Sequence, residues 1–202
     1  MNSSRKKAAI ILIPILIVSL FVITLLITPS TPPKNPYPIL KTPPLMTLAS
    51  PESVDEIADI ADTIFVGEII RVMDPVNQEI KTGNDSPEEL INQKTNNSDN
   101  SVEIYPVEVL ITDTMKGAIE KGKKVTVYRS SMTVNYEPEM KEGTKMVFVT
   151  NYNDFWKGYV AVHPHAGYFY VTDKNIVYPA FRSKAFDKTT GIQLEKLVSK
   201  LR

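Results

Sequence analysis

The chain contains no cysteine. Disulfide bridges, thiolate metal ligands, thiol nucleophiles and an acylated cysteine anchor are therefore excluded, and the folded part must be stabilised by packing alone. Small extracellular domains of higher eukaryotes commonly carry disulfides. The absence of cysteine therefore favours a bacterial source.

The sequence also lacks an excess of positive charge. Its 23 basic residues equal its 23 acidic residues in number, and Arg5, Lys6 and Lys7 all precede a long apolar run. The part after Thr28 therefore has 20 basic and 23 acidic side chains, a formal charge of −3. Nucleic-acid binding depends on clustered lysine and arginine. We expect no nucleic-acid partner.

Catalytic motifs are missing as well. No P-loop, G-x-G-x-x-G or G-x-S-x-G segment occurs, so we expect no cofactor and no enzymatic activity. The only two histidines, His163 and His165, flank a proline. A stable zinc site needs three or four protein ligands, so no metal site is predicted. The alternative is a metal-dependent or hydrolytic ectodomain that uses these two histidines. Glu137 and Glu139, in a polar turn, are interpreted as solvated charges.

An uncharged apolar run of residues 8–28 is long enough to cross a bilayer, which takes about 20 residues of helix. Three cations precede the run and the next follows only at Lys34. The positive-inside rule then places a tail of residues 1–7 in the cytoplasm and the rest of the chain outside the cell. A cleaved signal peptide is the alternative, but its apolar core is usually only ~7–15 residues and ends in small residues. We expect a retained transmembrane helix in contact with membrane lipid.

Residues 29–49 follow this run and are dense in proline, which favours extended polyproline geometry and predicts a semi-rigid stalk. A single extracytoplasmic β domain is predicted over residues 50–202. Within it, residues 74–101 are rich in Asn, Asp, Ser and Lys and are interpreted as a polar, disordered insertion.

Alternating and β-branched residues predict short strands in this domain, with a helix at each end. Ser50 and Pro51 are interpreted as the start of the first helix, and Gly67 is expected to mark a bulge. The predicted helices cover residues 51–62 and 192–201, and the predicted strands cover residues 63–72, 102–112, 125–129, 145–150, 159–162, 168–172 and 176–178. The fold class is mainly β, a small barrel or curved antiparallel sheet with short flanking helices.

Four segments in this order carry a resemblance: ADTIFVGEI (residues 61–69), YPVEVLITDTMKG (105–117), EGTKMVFVT (142–150) and GYFYVTDKNIVYP (167–179). They resemble a group of uncharacterised bacterial extracytoplasmic domains whose OB-like barrel is similar to that of tissue inhibitors of metalloproteinases. The resemblance implies the fold but no activity. Those inhibitors chelate zinc through an N-terminal cysteine, which this chain does not have.

Aromatic residues cluster in one loop and the strand that follows it. Exposed, they would bind an envelope protein or a glycan, and buried, they would close the barrel. The candidate interaction surface consists of Tyr152, Phe155, Trp156, Tyr159, His163 and His165. The predicted function is a membrane-anchored extracytoplasmic binding or interaction module without catalysis. A sensor or accessory subunit of a membrane complex is a further alternative.

Overall fold

The computed structural model describes residues 34–38, 40, 51–79, 101–181 and 183–201. Over these residues the protein is mainly β, with short helices at the two ends of the domain, as the sequence predicts. The helices are α1 (Val54–Ile60) and α2 (Leu194–Leu201). The strands are β1 (Thr63–Val72), β2 (Val76–Glu79), β3 (Ser101–Lys116), β4 (Lys124–Ser130), β5 (Lys145–Asn153), β6 (Gly158–Ala161), β7 (Tyr168–Val171), β8 (Ile176–Pro179) and β9 (Ile192–Gln193), and short 3-10 turns cover Val134–Tyr136 and Asp187–Thr189.

Five strands close into a barrel in the order β1, β3, β4, β6 and β5, because β5 pairs back with β1. Most neighbours are antiparallel, but β4 and β6 run parallel. Strands β7, β8 and β9 extend the sheet from β5. The register of β1 against β3 shifts between Val66 and Gly67. This confirms the predicted irregularity at Gly67, where a Cβ atom would lie 2.2 Å from Val109 Cγ1.

The central strands bury both faces, and alternate residues belong to two separate cores. Phe148 of β5 and Tyr168 of β7 belong to the core inside the barrel. Val149 and Phe169, their chain neighbours, belong to a core between the sheet and the two helices. Because both faces of β7 are covered, all of its side chains are buried.

The first helix begins later than expected. Its N-cap is Ser53, whose Oγ accepts a hydrogen bond from Glu56 N at 3.1 Å. The Ser50–Pro51 start predicted from the sequence is therefore wrong, because a Ser three residues before a Glu supplies the better cap. Helix α2 packs its apolar stripe on the core between the sheet and the two helices, and Leu197 and Leu201 of this stripe are buried.

Part of the predicted stalk packs on the domain. The Tyr37 ring stacks on Tyr170 with centroids 4.4 Å apart and an interplanar angle of 5°. Its hydroxyl donates to Val171 O at 3.2 Å. Leu40 forms a parallel bridge with Phe181, and its N–H donates to Ala180 O at 3.2 Å. The compact unit therefore begins at Lys34 rather than at residue 50.

The predicted polar insertion also contributes to the sheet. β2 pairs antiparallel with β3, from Val76 opposite Ile104 to Glu79 opposite Ser101. The rest of the insertion, residues 80–100, lies outside the described part of the chain. The predicted transmembrane run of residues 8–28 lies outside it too, and no helix among the described residues is long and apolar enough to cross a membrane.

Candidate functional site

The aromatic residues singled out in the sequence lie on and around the β5–β6 hairpin. Tyr152 of β5 is paired directly opposite Tyr159 of β6, with ring centroids 5.3 Å apart. Tyr152 is 44% exposed and Phe155, in the turn, is 53% exposed, whereas Trp156 and Tyr159 are partly buried. We call these four residues the hairpin aromatic surface.

The hairpin divides these rings between two sides. Tyr159 packs on the barrel core, with its ring centroid 5.7 Å from that of Phe65. Trp156 contacts Tyr128 at 5.8 Å, and Tyr128 alternates with the interior residue Val127 on β4, so it faces away from the core. The surface therefore surrounds the hairpin rather than forming one flat plane.

Polar contacts fix the hairpin in place. Asp62 N donates to Asn151 Oδ1 at 2.8 Å, and Tyr152 N donates to Asp62 Oδ2 at 3.0 Å. In the turn, Trp156 N donates to Asn153 Oδ1 at 2.9 Å. These bonds hold the backbone that carries the exposed rings, so the rings are presented without the ordering cost of a free loop.

The two histidines do not share the exposure of the hairpin. His163 is 8% exposed and His165 is 3% exposed, in the turn between β6 and β7. His163 Nδ1 accepts hydrogen bonds from His165 N at 3.2 Å and Ala166 N at 3.3 Å, and the two rings meet edge to face at 5.1 Å. Burial, followed by the neighbouring His163, lowers the pKa of His165. The exposed part of the predicted interaction surface is thus Tyr152 and Phe155.

A metal centre at these histidines would need further ligands. Over the described ranges no group of three His, Asp or Glu side chains is placed to hold a metal ion. One nitrogen of His163 already accepts two backbone bonds. The described residues therefore do not by themselves complete a metal site at the two histidines.

A second cluster, which the sequence did not indicate, lies at one end of the barrel. Its central residue is Glu137, which is only 7% exposed. Glu137 Oε2 accepts from the Tyr168 hydroxyl at 2.8 Å and Oε1 accepts from Thr133 Oγ1 at 2.6 Å. The prediction that Glu137 is a solvated charge is wrong, because the turn folds back over the barrel. Glu139, by contrast, is exposed, as expected.

Arg129 is the cation of this cluster. Val127 belongs to the barrel core, and alternation on β4 places Arg129 on the same interior face. It pairs directly opposite Tyr105 of β3. Arg129 is 8% exposed. We name Arg129, Thr133, Glu137 and Tyr168 the barrel-end cluster. Tyr136, the residue before Glu137, stacks its ring on His165 with centroids 6.1 Å apart.

Burial raises the pKa of Glu137, against the hydrogen bonds from Thr133 and Tyr168 and the charge of Arg129, which lower it. The pKa of Tyr168 is raised well above its usual value by burial and by Glu137. Perturbed pKa values of this kind concentrate at functional sites. The burial of Arg129 could have been inferred from the sequence, because Val125, Val127 and Arg129 occupy alternate positions on one face of β4. Nothing local marked Glu137.

No protein-family model matches this chain, and none of the curated proteins compared with it matches its sequence. The two sites are therefore interpreted from their own residues.

Proposed function

We propose that this chain is a membrane-anchored, non-enzymatic binding module that recognises a glycan of the bacterial cell envelope through the hairpin aromatic surface. One observation carries the proposal: Tyr152 and Phe155 are both exposed aromatic side chains, three residues apart, on a hairpin held by side-chain hydrogen bonds. Large aromatic rings exposed to solvent commonly mark a recognition site.

The size of the surface favours a glycan over a protein partner. A stable protein interface buries about 800 Å² on each side, contributed by about 20–30 residues. Two exposed rings are too few for the core of such an interface. A sugar chain is narrow, its C–H faces stack on aromatic rings, and its hydroxyls bond to polar side chains. Asp154, which lies between the two rings in the sequence, is exposed and supplies such a group.

The only tryptophan of the chain, Trp156, follows Phe155 directly and reports on this surface. Soluble peptidoglycan oligosaccharides, titrated into the full chain in mild detergent, should produce a saturable change in its fluorescence. Tyr152→Ala and Phe155→Ala should each weaken the affinity by about fivefold or more, taking the loss of a stacked aromatic ring as about 1–3 kcal/mol, the range found for rings that stack on nucleobases. Dextran, a neutral polysaccharide, is the control ligand in the same titration.

Met132→Ala is the control variant, because Met132 is 66% exposed and lies outside the hairpin. It should bind like the unaltered protein. Full affinity in a Tyr152→Ala, Phe155→Ala double variant would exclude the surface as the binding site. Equal binding of dextran would exclude recognition of an envelope glycan.

Anchoring is the second half of the proposal. The uncharged run of residues 8–28, preceded by Arg5, Lys6 and Lys7, supports a retained helix with the domain outside the cell. The closed five-stranded barrel is consistent with an OB-like fold. Protease added to cells without their wall should digest the domain. Digestion only in inverted vesicles would contradict the orientation.

A further inference from the structure

Arg129 is a buried cation that forms no ion pair with a described residue. The ion pairs formed within the described part of the chain lie mostly at the surface, and none of them includes Arg129. Its Nε–H is buried and makes no hydrogen bond to any described residue. Since removing a charge from water costs several kcal/mol unless it is paired and hydrogen-bonded, this arrangement calls for a partner.

The nearby carboxylate does not fill this role. Glu137 interacts with Arg129 electrostatically, but its two oxygens accept from Thr133 and Tyr168 instead. The Nε–H of Arg129 therefore remains a donor without a partner among the described residues, on the interior face of β4. A guanidinium fork matches the paired oxygens of a carboxylate or phosphate.

A second buried polar atom without a described partner lies beside Tyr136, the residue before Glu137. His165 Nδ1 is buried and has no hydrogen-bond partner within the described ranges. The His165 ring is held by Tyr136 on one side and by Phe181, 5.0 Å away, on the other. A neutral imidazole can present an N–H at this nitrogen. Arg129 Nε and His165 Nδ1 are thus two buried polar atoms without a partner among the described residues, one in the barrel-end cluster and one beside Tyr136, the residue before Glu137. Ligands commonly bind at the mouths of barrels.

We propose that the barrel-end cluster binds a small oxyanion, a carboxylate or a phosphate, through the guanidinium of Arg129. This site uses different side chains from the hairpin aromatic surface, so it is a second binding site of the domain. Glu137 interacts electrostatically with Arg129, so its negative charge opposes the binding of an anion there.

The Nε–H resonance of Arg129 measures the proposal directly. The full chain, with arginine labelled with nitrogen-15, is titrated in detergent with sodium phosphate or sodium acetate at constant ionic strength. Arg129→Lys, which keeps the charge but removes the fork, assigns the resonance. We expect a saturable shift of this resonance with at least one of the two anions, and the stronger of them identifies the ligand class.

Glu137→Gln should tighten the binding by about threefold to tenfold, because it removes a nearby like charge from a site of low dielectric. Glu139→Gln is the matched control, since it removes the same charge two residues away at an exposed position, and its affinity should be unchanged. A shift that chloride reproduces, or equal effects of the two Gln variants, would show a general ionic effect and overturn the proposal.

Discussion

Removing the Tyr168 hydroxyl tests how much its hydrogen bond to the buried carboxyl group of Glu137 stabilises the fold. Tyr168 is 1% exposed, and its hydroxyl donates to Glu137 Oε2 at 2.8 Å. Tyr168→Phe removes this bond and leaves the ring in place. A hydrogen bond to a charged group contributes about 1.5–3 kcal/mol, so we expect a loss of that size in the free energy of unfolding at neutral pH. For a chain of this size, the melting temperature should fall by about 3–12 °C.

The loss should depend on pH, with a definite sign. The pKa of Glu137 in the folded protein is raised above its ordinary value of 4.5, chiefly by burial. The folded state therefore binds more protons than the unfolded state above pH 4.5, and stability falls as pH rises from 4.5 through the folded-state pKa. The Tyr168 hydroxyl lowers that pKa. Tyr168→Phe raises it further, so its destabilisation should be smallest below pH 4.5 and should grow toward neutral pH.

Chemical denaturation of the full chain in mild detergent, at a series of pH values, measures both effects. Tyr170→Phe is the matched control. Tyr170 lies two residues along the same strand, is 2% exposed, and its hydroxyl has no hydrogen bond to a described residue. The Tyr170→Phe variant should therefore lose little free energy of unfolding at any pH. Equal losses in the two variants, or a loss in Tyr168→Phe that does not change with pH, would refute the reasoning.

Three further substitutions test the packing. Tyr37→Ala should cost about 1–3 kcal/mol of unfolding free energy, since it removes a stacked ring on Tyr170, whereas Tyr37→Phe should cost less; equal losses in a denaturation assay would contradict the stacking. Gly158→Ala should cost about 1–3 kcal/mol, because its Cβ would lie 2.4 Å from Tyr128 Cε2; an unchanged tryptophan emission spectrum would contradict the predicted displacement. Leu197→Ala, at a fully buried position of α2, should cost about 2–5 kcal/mol, and an unchanged denaturation midpoint would show that α2 does not stabilise the core.

Much of the sheet could be predicted because alternation and β-branched residues report on local burial. The bounds of β1 and the bulge at Gly67 are examples. β2 could not be predicted, since its sequence VNQE has little strand preference. Its strand conformation follows from pairing with β3, a contact that lies outside any local window.

Local sequence patterns could locate one of the two candidate sites but not the other. The hairpin aromatic surface could be located from the clustering of aromatic residues, but not which rings are exposed, because that depends on the pairing of β5 with β6. Glu137 occupies a polar turn that gives no local sign of burial. Only the fold brings it to Tyr168, a residue 31 positions later in the chain.

Barrel closure has a consequence for how copies of this protein can associate. A free sheet edge is a template on which further strands, and eventually aggregates, can grow. β1 has partners on both sides, and in the described part of the sheet the terminal strands are short, four residues in β2 and two in β9. Chains held side by side at high local density would therefore meet through side chains rather than by polymerising strand to strand.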